Sequence, residues 1–280
     1  MNEQLEGEIK MNFIEQNGRT IARDTYHRGN SRISAEIPTM GHIPYYFLIS
    51  TGGGYVEGEH YRQEISLADN THAILTTQTP NYIYKCENRK ITRQLNKLTI
   101  GENAILEYYM DETIPYRHAC YQQNTEIRMG KGSKLILTDG LTSGWSPDDQ
   151  PFQYRQVGLK TRIIVDNHLA YNDFLLVNPE DEKMFELGFF EGHMAFNSVI
   201  LIDSEIDKRI IDELRNYMKT ISTSSQFGMS LLESDGLVFR IMSQSVHENQ
   251  KVMWAFINYY REQIEHYDSI DLRKSKNLEP

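Results

Sequence analysis

Apolar and polar positions alternate with period two in several short stretches, clearest in Tyr61–Leu67, Lys97–Ile100 and Thr125–Met129. Each is followed by Gly, Asn or Asp punctuation and then a second apolar run, the pattern of half-buried strands joined by tight turns. The runs recur. Ile74-Leu75, Ile105-Leu106 and Ile136-Leu137 stand 31 residues apart, and a turn residue precedes each at the same step: Asn70, Gly101 and Gly132. A fixed period of this length predicts stacked strand–turn–strand units that bury their apolar faces against neighbours. Thr161–Val165, Asp166-Asn167 and Leu169–Val177 read as a further hairpin, out of register with the repeat, and Asp139–Gln156 reads as a loop rich in Gly, Pro and Asp.

Helical periodicity enters late. Ser204 can cap a helix over Glu205–Thr220 with Ile206, Ile210, Leu214 and Met218 on one stripe. Ser245 and Glu248 form a capping box for a second helix over Val246–Tyr267. Between them, Ser234-Asp235-Gly236 reads as a turn and Leu237–Ser243 as a strand, and the last ten residues are charged and expected to fray. The expected fold is mainly β: one domain over 1–280 of stacked, helical-like strand repeats, strand-rich to 201 and helix-containing from 202, with no doubly wound sheet.

A net charge of −10 over 280 residues argues against a nucleic-acid partner, whose phosphates need a basic face. It suits a cationic partner or a metal ion, or plain solubility. Cys86 and Cys120 are too few for a disulfide framework or a CxxC knuckle and fit a reducing compartment. Met1–Lys10 has no apolar signal region, and Pro44–Ser50, the longest apolar run, is too short to span a bilayer. A cytoplasmic location and no membrane partner are expected.

The most distinctive stretch is Thr51–Glu59, with Gly52, Gly53, Gly54 and Gly58. Such glycines allow positive φ or close approach by another surface. No Gly-Lys-Ser/Thr follows, so this is not a phosphate loop of the Walker type, and Gly130-Lys131-Gly132-Ser133 reads as a turn. Glu57 and Glu59 either hold a cation weakly through oxygen or form a solvated strand edge. Thr76-Thr77-Gln78-Thr79-Pro80 follows the first apolar pair as a polar edge or a wet lining. Thr77, Glu107 and Asp139, which follow the three Ile-Leu pairs, are expected to form one column sharing a face with Leu75, Leu106 and Leu137. If that face points inward, two carboxylates are buried and need water or a cation. The nine histidines are scattered without an HExxH or an i, i+4 pair, which excludes a tight helix-borne metal site. Gly144-Trp145-Ser146-Pro147-Asp148 fails the nucleophile-elbow pattern, and no catalytic constellation emerges.

Thr51-Gly52-Gly53-Gly54 through Gly58-Glu59, then Ala73–Gln78, Tyr82–Cys86, Asp111–Pro115 and Gly130–Gly140, resemble the urease accessory protein UreD (UreH) family in order and spacing across about residues 45–200. The loop Leu141–Pro151 departs from the Gly-Arg and Gly-Glu pattern associated with that family. The resemblance implies a strand-rich stack with two helices. It also implies a non-enzymatic chaperone that binds apo-urease and, with UreF and UreG, helps load nickel through a water-filled passage. No tightly bound cofactor is expected, only nickel(II) in transit. Oxygen ligands suit such transit, since a Cys/His cage would trap the ion. Glu57, Glu59, Thr77, Gln78, Glu107, Glu112 and Asp139 are the expected polar lining. Two other classes stay open on residues alone: a polysaccharide-active enzyme using Glu107 and Asp139 as paired carboxylates, and a plain protein-binding module.

Overall fold

The computed structural model describes residues 4–233 and 236–274. The expected turn at Ser234-Asp235 and the charged end 275–280 lie outside the described residues. The chain opens with a hairpin, β1 (Gly7–Gln16) and β2 (Arg19–Gly29), turned by Asn17-Gly18 with both residues at positive φ, the backbone that two-residue hairpins require. After β3 (Ser31–Ile33) come four stacked coils. The first holds β4 (Tyr45–Ser50) and β5 (His60–Leu67). The second holds β6 (His72–Thr77), β7 (Asn81–Ile83) and β8 (Thr92–Ile100), and the third β9 (Ile105–Tyr109), β10 (Thr113–Pro115) and β11 (Cys120–Met129). The fourth holds β12 (Lys134–Thr142) and β13 (Gln156–Val165).

Parallel pairing joins β4, β6, β9 and β12 into one sheet and β1, β5, β8, β11 and β13 into another, while β7 and β10 make a short third side. This is a β solenoid whose coil-to-coil steps run from 29 to 36 residues. An antiparallel strand, β14 (His168–Val177), folds back on β13 through Asp166-Asn167. Helix α1 (Lys208–Met218) lies between β15 (Ala195–Ile202) and the strands β16 (Gln226–Leu231) and β17 (Gly236–Ser243). Those three strands extend the first sheet past β12, and α2 (Val246–Tyr259) ends the regular structure.

The interval of 31 is an average rather than the register. Ala73 pairs with Leu106, 33 residues on, and Leu106 with Leu135, 29 on. The left-handed turn residues follow the same two steps: Asn70 (φ 58°), Asn103 (φ 53°) and Gly132 (φ 70°). Gly101 is therefore not the equivalent of Asn70. The expected loop also starts later, because Asp139–Thr142 continue β12 in register with β15.

Two apolar layers hold the stack. Inward-facing Ile65, Leu67, Leu75, Leu98, Ile100, Leu106, Ile127 and Leu137 fill the space between the sheets. The other face of the β12-containing sheet is covered by the helices through Ile210, Leu214, Met218, Val252, Phe256 and Ile257. Helix α1 starts at Lys208, with Asp207 rather than Ser204 accepting the capping bond from the Ile210 amide. The Ser245 hydroxyl caps α2 by accepting from the Glu248 amide at 3.2 Å. The second helix stops at Tyr259, eight residues before the expected Tyr267, and gives way to a π-turn over Tyr260–Ile264. No helix among the described residues is long and apolar enough to cross a membrane.

Candidate functional site: a polar cavity inside the solenoid

Each long strand of the β5–β8–β11–β13 sheet changes character along its inward face. Ile65, Leu98, Ile127 and Ile163 pair into an apolar column, but one step toward the strand starts the column reads Gln63, Asn96, Thr125 and Thr161. The next holds Tyr61, Gln94, Gln123 and Leu159. Seven polar or phenolic side chains are thus stacked in the interior, where each needs a hydrogen-bond partner. They find one another. Asn96 donates to Thr125 Oγ1 at 3.1 Å, Gln94 to Asn96 Oδ1 at 2.8 Å, and Tyr55 to Gln94 Oε1 at 2.9 Å. Tyr108 donates to Gln63, and Asn81 donates to the Tyr121 hydroxyl at 3.1 Å.

Across from these columns, Gln123 Nε2 donates to Asp139 Oδ2 at 3.1 Å, and the Gly140 amide to Asp139 Oδ1 at 2.8 Å. Between the two faces lies a cavity of about 60 Å³ whose walls include Gln63, Gln94, Gln123, Thr77, Asp111 and Asp139. That is room for a few water molecules. Exposed Gly53 and Thr79 stand at its rim, so it opens to solvent there. Gly54 lies beside them with φ 156°, and a Cβ on it would come 2.8 Å from the Tyr82 carbonyl, so the glycine triplet lets the rim loop pack closely.

Burial pushes the Asp139 carboxyl up to about 7, with the nearby Glu112 and Asp173 charges adding to the rise and the Gly140 and Gln123 donors opposing it. Asp139 sits deep in the fold yet keeps surface facing the cavity. In the same wall, Thr77 Oγ1 donates to Asp111 Oδ2 at 2.9 Å, and Lys274 Nζ meets Asp111 Oδ1 at 2.7 Å. The polar groups in the cavity walls are two carboxylates, several hydroxyls and carboxamides. Such groups bind a borderline divalent cation weakly and release it.

Of the seven expected lining residues, only Thr77 and Asp139 reach the cavity. Glu107 directly follows Leu106, so it points the opposite way from Leu106, and its strand neighbours are Ile74 and Ile136 on the helix side. There it pairs with Arg261 and His72 (2.7 Å) and accepts from Tyr109. Those partners outweigh its burial and hold its carboxyl at about 2. Tyr108 takes the inward place expected of Glu107.

Glu112 is buried beneath α2, accepting from Asn197 at 2.8 Å and Gln250 at 3.2 Å. Burial, and then the Asp111 charge, raise its pKa. Gln78 is exposed. Glu57 accepts from the Lys90 amide and the Asn88 side chain, and Glu59 from Tyr61 and the Val56 amide, so both fasten turns rather than face the cavity. Of the four glycines, Gly53 and Gly54 border the cavity; Gly52 is exposed and Gly58 (φ 76°) packs on Lys90.

Asp111 and the Gln63, Gln94, Gln123 and Asn96 columns were not singled out by sequence. Their signal was present: Gln63-x-Ile65, Gln94-x-Asn96-x-Leu98 and Gln123-x-Thr125-x-Ile127 place polar residues on the face that alternation assigns to the core.

The UreD urease accessory protein family model matches residues 5–274. Among curated relatives, the urease accessory protein UreD of Streptococcus thermophilus (strain CNRZ 1066) is 40% identical over 98% of this chain and 99% of its own. That of Streptococcus salivarius (strain 57.I) is 40% identical over the same shares. The UreD of Lachnoclostridium phytofermentans is 30% identical over 89% of this chain and 90% of its own. With a match over almost its whole length, the chain belongs to the UreD family of urease accessory proteins.

Proposed function

We propose that this protein is a non-enzymatic urease maturation chaperone that binds apo-urease and, together with UreF and UreG, helps deliver nickel to its active site. In this reading nickel(II) is cargo, no cofactor is tightly bound, UreG is reached through UreF, and the protein works in the cytoplasm. One observation carries it: the solvent-open cavity in which Asp139, Asp111, Thr77 and the glutamine columns present oxygen donors inside an otherwise apolar stack. A nickel ion entering at the Gly53-Gly54 rim would meet two carboxylates in the cavity wall, Asp111 and Asp139. Asp139, which burial inclines to keep its proton near neutral pH, would lose it as the cation arrives, since metal ligands must be deprotonated. Weak oxygen coordination would then let the ion move on.

The polysaccharide-active alternative loses its pair. Glu107 and Asp139 stand on opposite faces of one sheet and cannot flank a single glycosidic bond. The binding-module alternative differs from the chaperone reading only in lacking a metal role. Co-expression with a urease lacking its own UreD tests the proposal. Co-purification together with nickel activation that depends on this chain is expected. Co-purification without such dependence would favour the binding module, and no association at all would contradict both.

A further inference from the structure

We infer that Lys274 is a built-in cation that occupies Asp111, a carboxylate of the cavity wall, and competes with divalent ions for it until the end of the chain is displaced. The inference rests on reading the cavity as a cation path and concerns its control. After the π-turn the chain runs back across the helix side of the β4–β6–β9 sheet. It is fastened step by step: Arg261 Nε donates to the Asp268 carbonyl at 3.1 Å, the Ile270 amide to Asn258 Oδ1 at 2.9 Å, and Tyr45 to the Leu272 carbonyl at 2.8 Å.

Arg273 then takes a left-handed conformation (φ 53°), with its amide donating to Asp271 Oδ1 at 2.9 Å. A non-glycine residue rarely adopts that backbone without a reason, and here it turns Lys274 onto Asp111 at 2.7 Å. The other Asp111 oxygen is held by Thr77, whose hydroxyl in turn accepts from the Asp111 amide at 3.0 Å. With one oxygen on an ammonium and one on a hydroxyl, the Asp111 charge is already largely compensated. A divalent cation binding the same carboxylate meets the repulsion of the Lys274 ammonium at close range, so the two compete for Asp111. The Lys274 side chain is 23% exposed, so water competes with the pair and it can exchange. Lys274 therefore competes with a transported cation for Asp111, and whatever lifts the strap that ends at Leu272 frees that carboxylate.

Nickel titration of the full-length protein followed by calorimetry tests this, using Lys274→Met, Lys274→Arg, Asp111→Asn and Asp139→Asn. Lys274→Met is expected to tighten nickel binding about tenfold, with the gain abolished when Asp111→Asn is added, while Lys274→Arg keeps the parent affinity. If Lys274→Met leaves affinity within about twofold while Asp111→Asn and Asp139→Asn weaken it, the plug is refuted and the cation path stands. If none of the carboxylate variants changes affinity, the cation path falls and the plug with it. A Lys274→Met protein that no longer folds would mark the residue as a structural tether and overturn the inference.

Discussion

Asp139 and Glu107, which sequence alone placed in one column, respond to pH in opposite senses. Asp139 has a folded-state pKa raised to about 7, above the usual carboxyl value of about 4. The folded state therefore holds a proton that the unfolded chain has lost, and this contribution is full below about pH 4 and disappears as pH rises through 7. Asp139→Asn cannot ionise. Urea unfolding at pH 5 and pH 8 should show the variant gaining about 2 kcal/mol on the parent between the two, less than full linkage because the cavity wets the carboxyl. Parallel pH profiles would contradict the burial argument. Glu107 has the opposite sign: its pKa is held at about 2, so its contribution is present above about pH 4.5 and is lost as pH falls through 2. Glu107→Gln strands the buried Arg261 charge and should cost about 3 kcal/mol in urea unfolding at pH 7. A loss below about 1 kcal/mol would mean that water already screens the pair.

At the scale of elements, the strands and both helices were legible because alternation, left-handed Asn and Gly turns and Ser or Asp caps are local signals. The Ser245 cap is one of them, and Ser245→Ala should lower stability by about 1 kcal/mol, read as a shift of the urea midpoint at unchanged slope. Register was less legible, because it is set by contact between coils. Steps of 33 and 29 average to the visible 31, and a miscount of one residue reverses every facing. Glu107 is a separate case: it stands one residue after Leu106, whereas Thr77 and Asp139 stand two after Leu75 and Leu137, so the inward place in that column belongs to Tyr108. The site was half legible for a related reason. Thr77 and Asp139 announce themselves as polar residues after apolar pairs. Gln63, Gln94 and Gln123 become a lining only when three strands stack them, and Asp111 joins the wall only when its strand end is set beside Thr77.

For the whole molecule, the helices are part of the core. Val252, Met253, Phe256 and Ile257 of α2 are buried against the sheet. Removing residues 246–280 to map contact with UreF should therefore unfold the protein, visible as loss of the cooperative thermal transition. A deletion that still melts cooperatively would show the solenoid to be stable alone. Between the two sheets the polar cavity interrupts the apolar layer, and on it rests the proposed delivery of nickel. The most direct test is the nickel content of urease matured with an Asp139→Leu variant of this protein, measured by elemental analysis on complexes first shown to assemble normally. The substitution would put an apolar side chain in the cavity wall in place of a carboxylate. A severalfold drop in nickel per urease active site, with the complex intact, is the predicted result; an intact complex that delivers nickel at the parent level would contradict transit past Asp139.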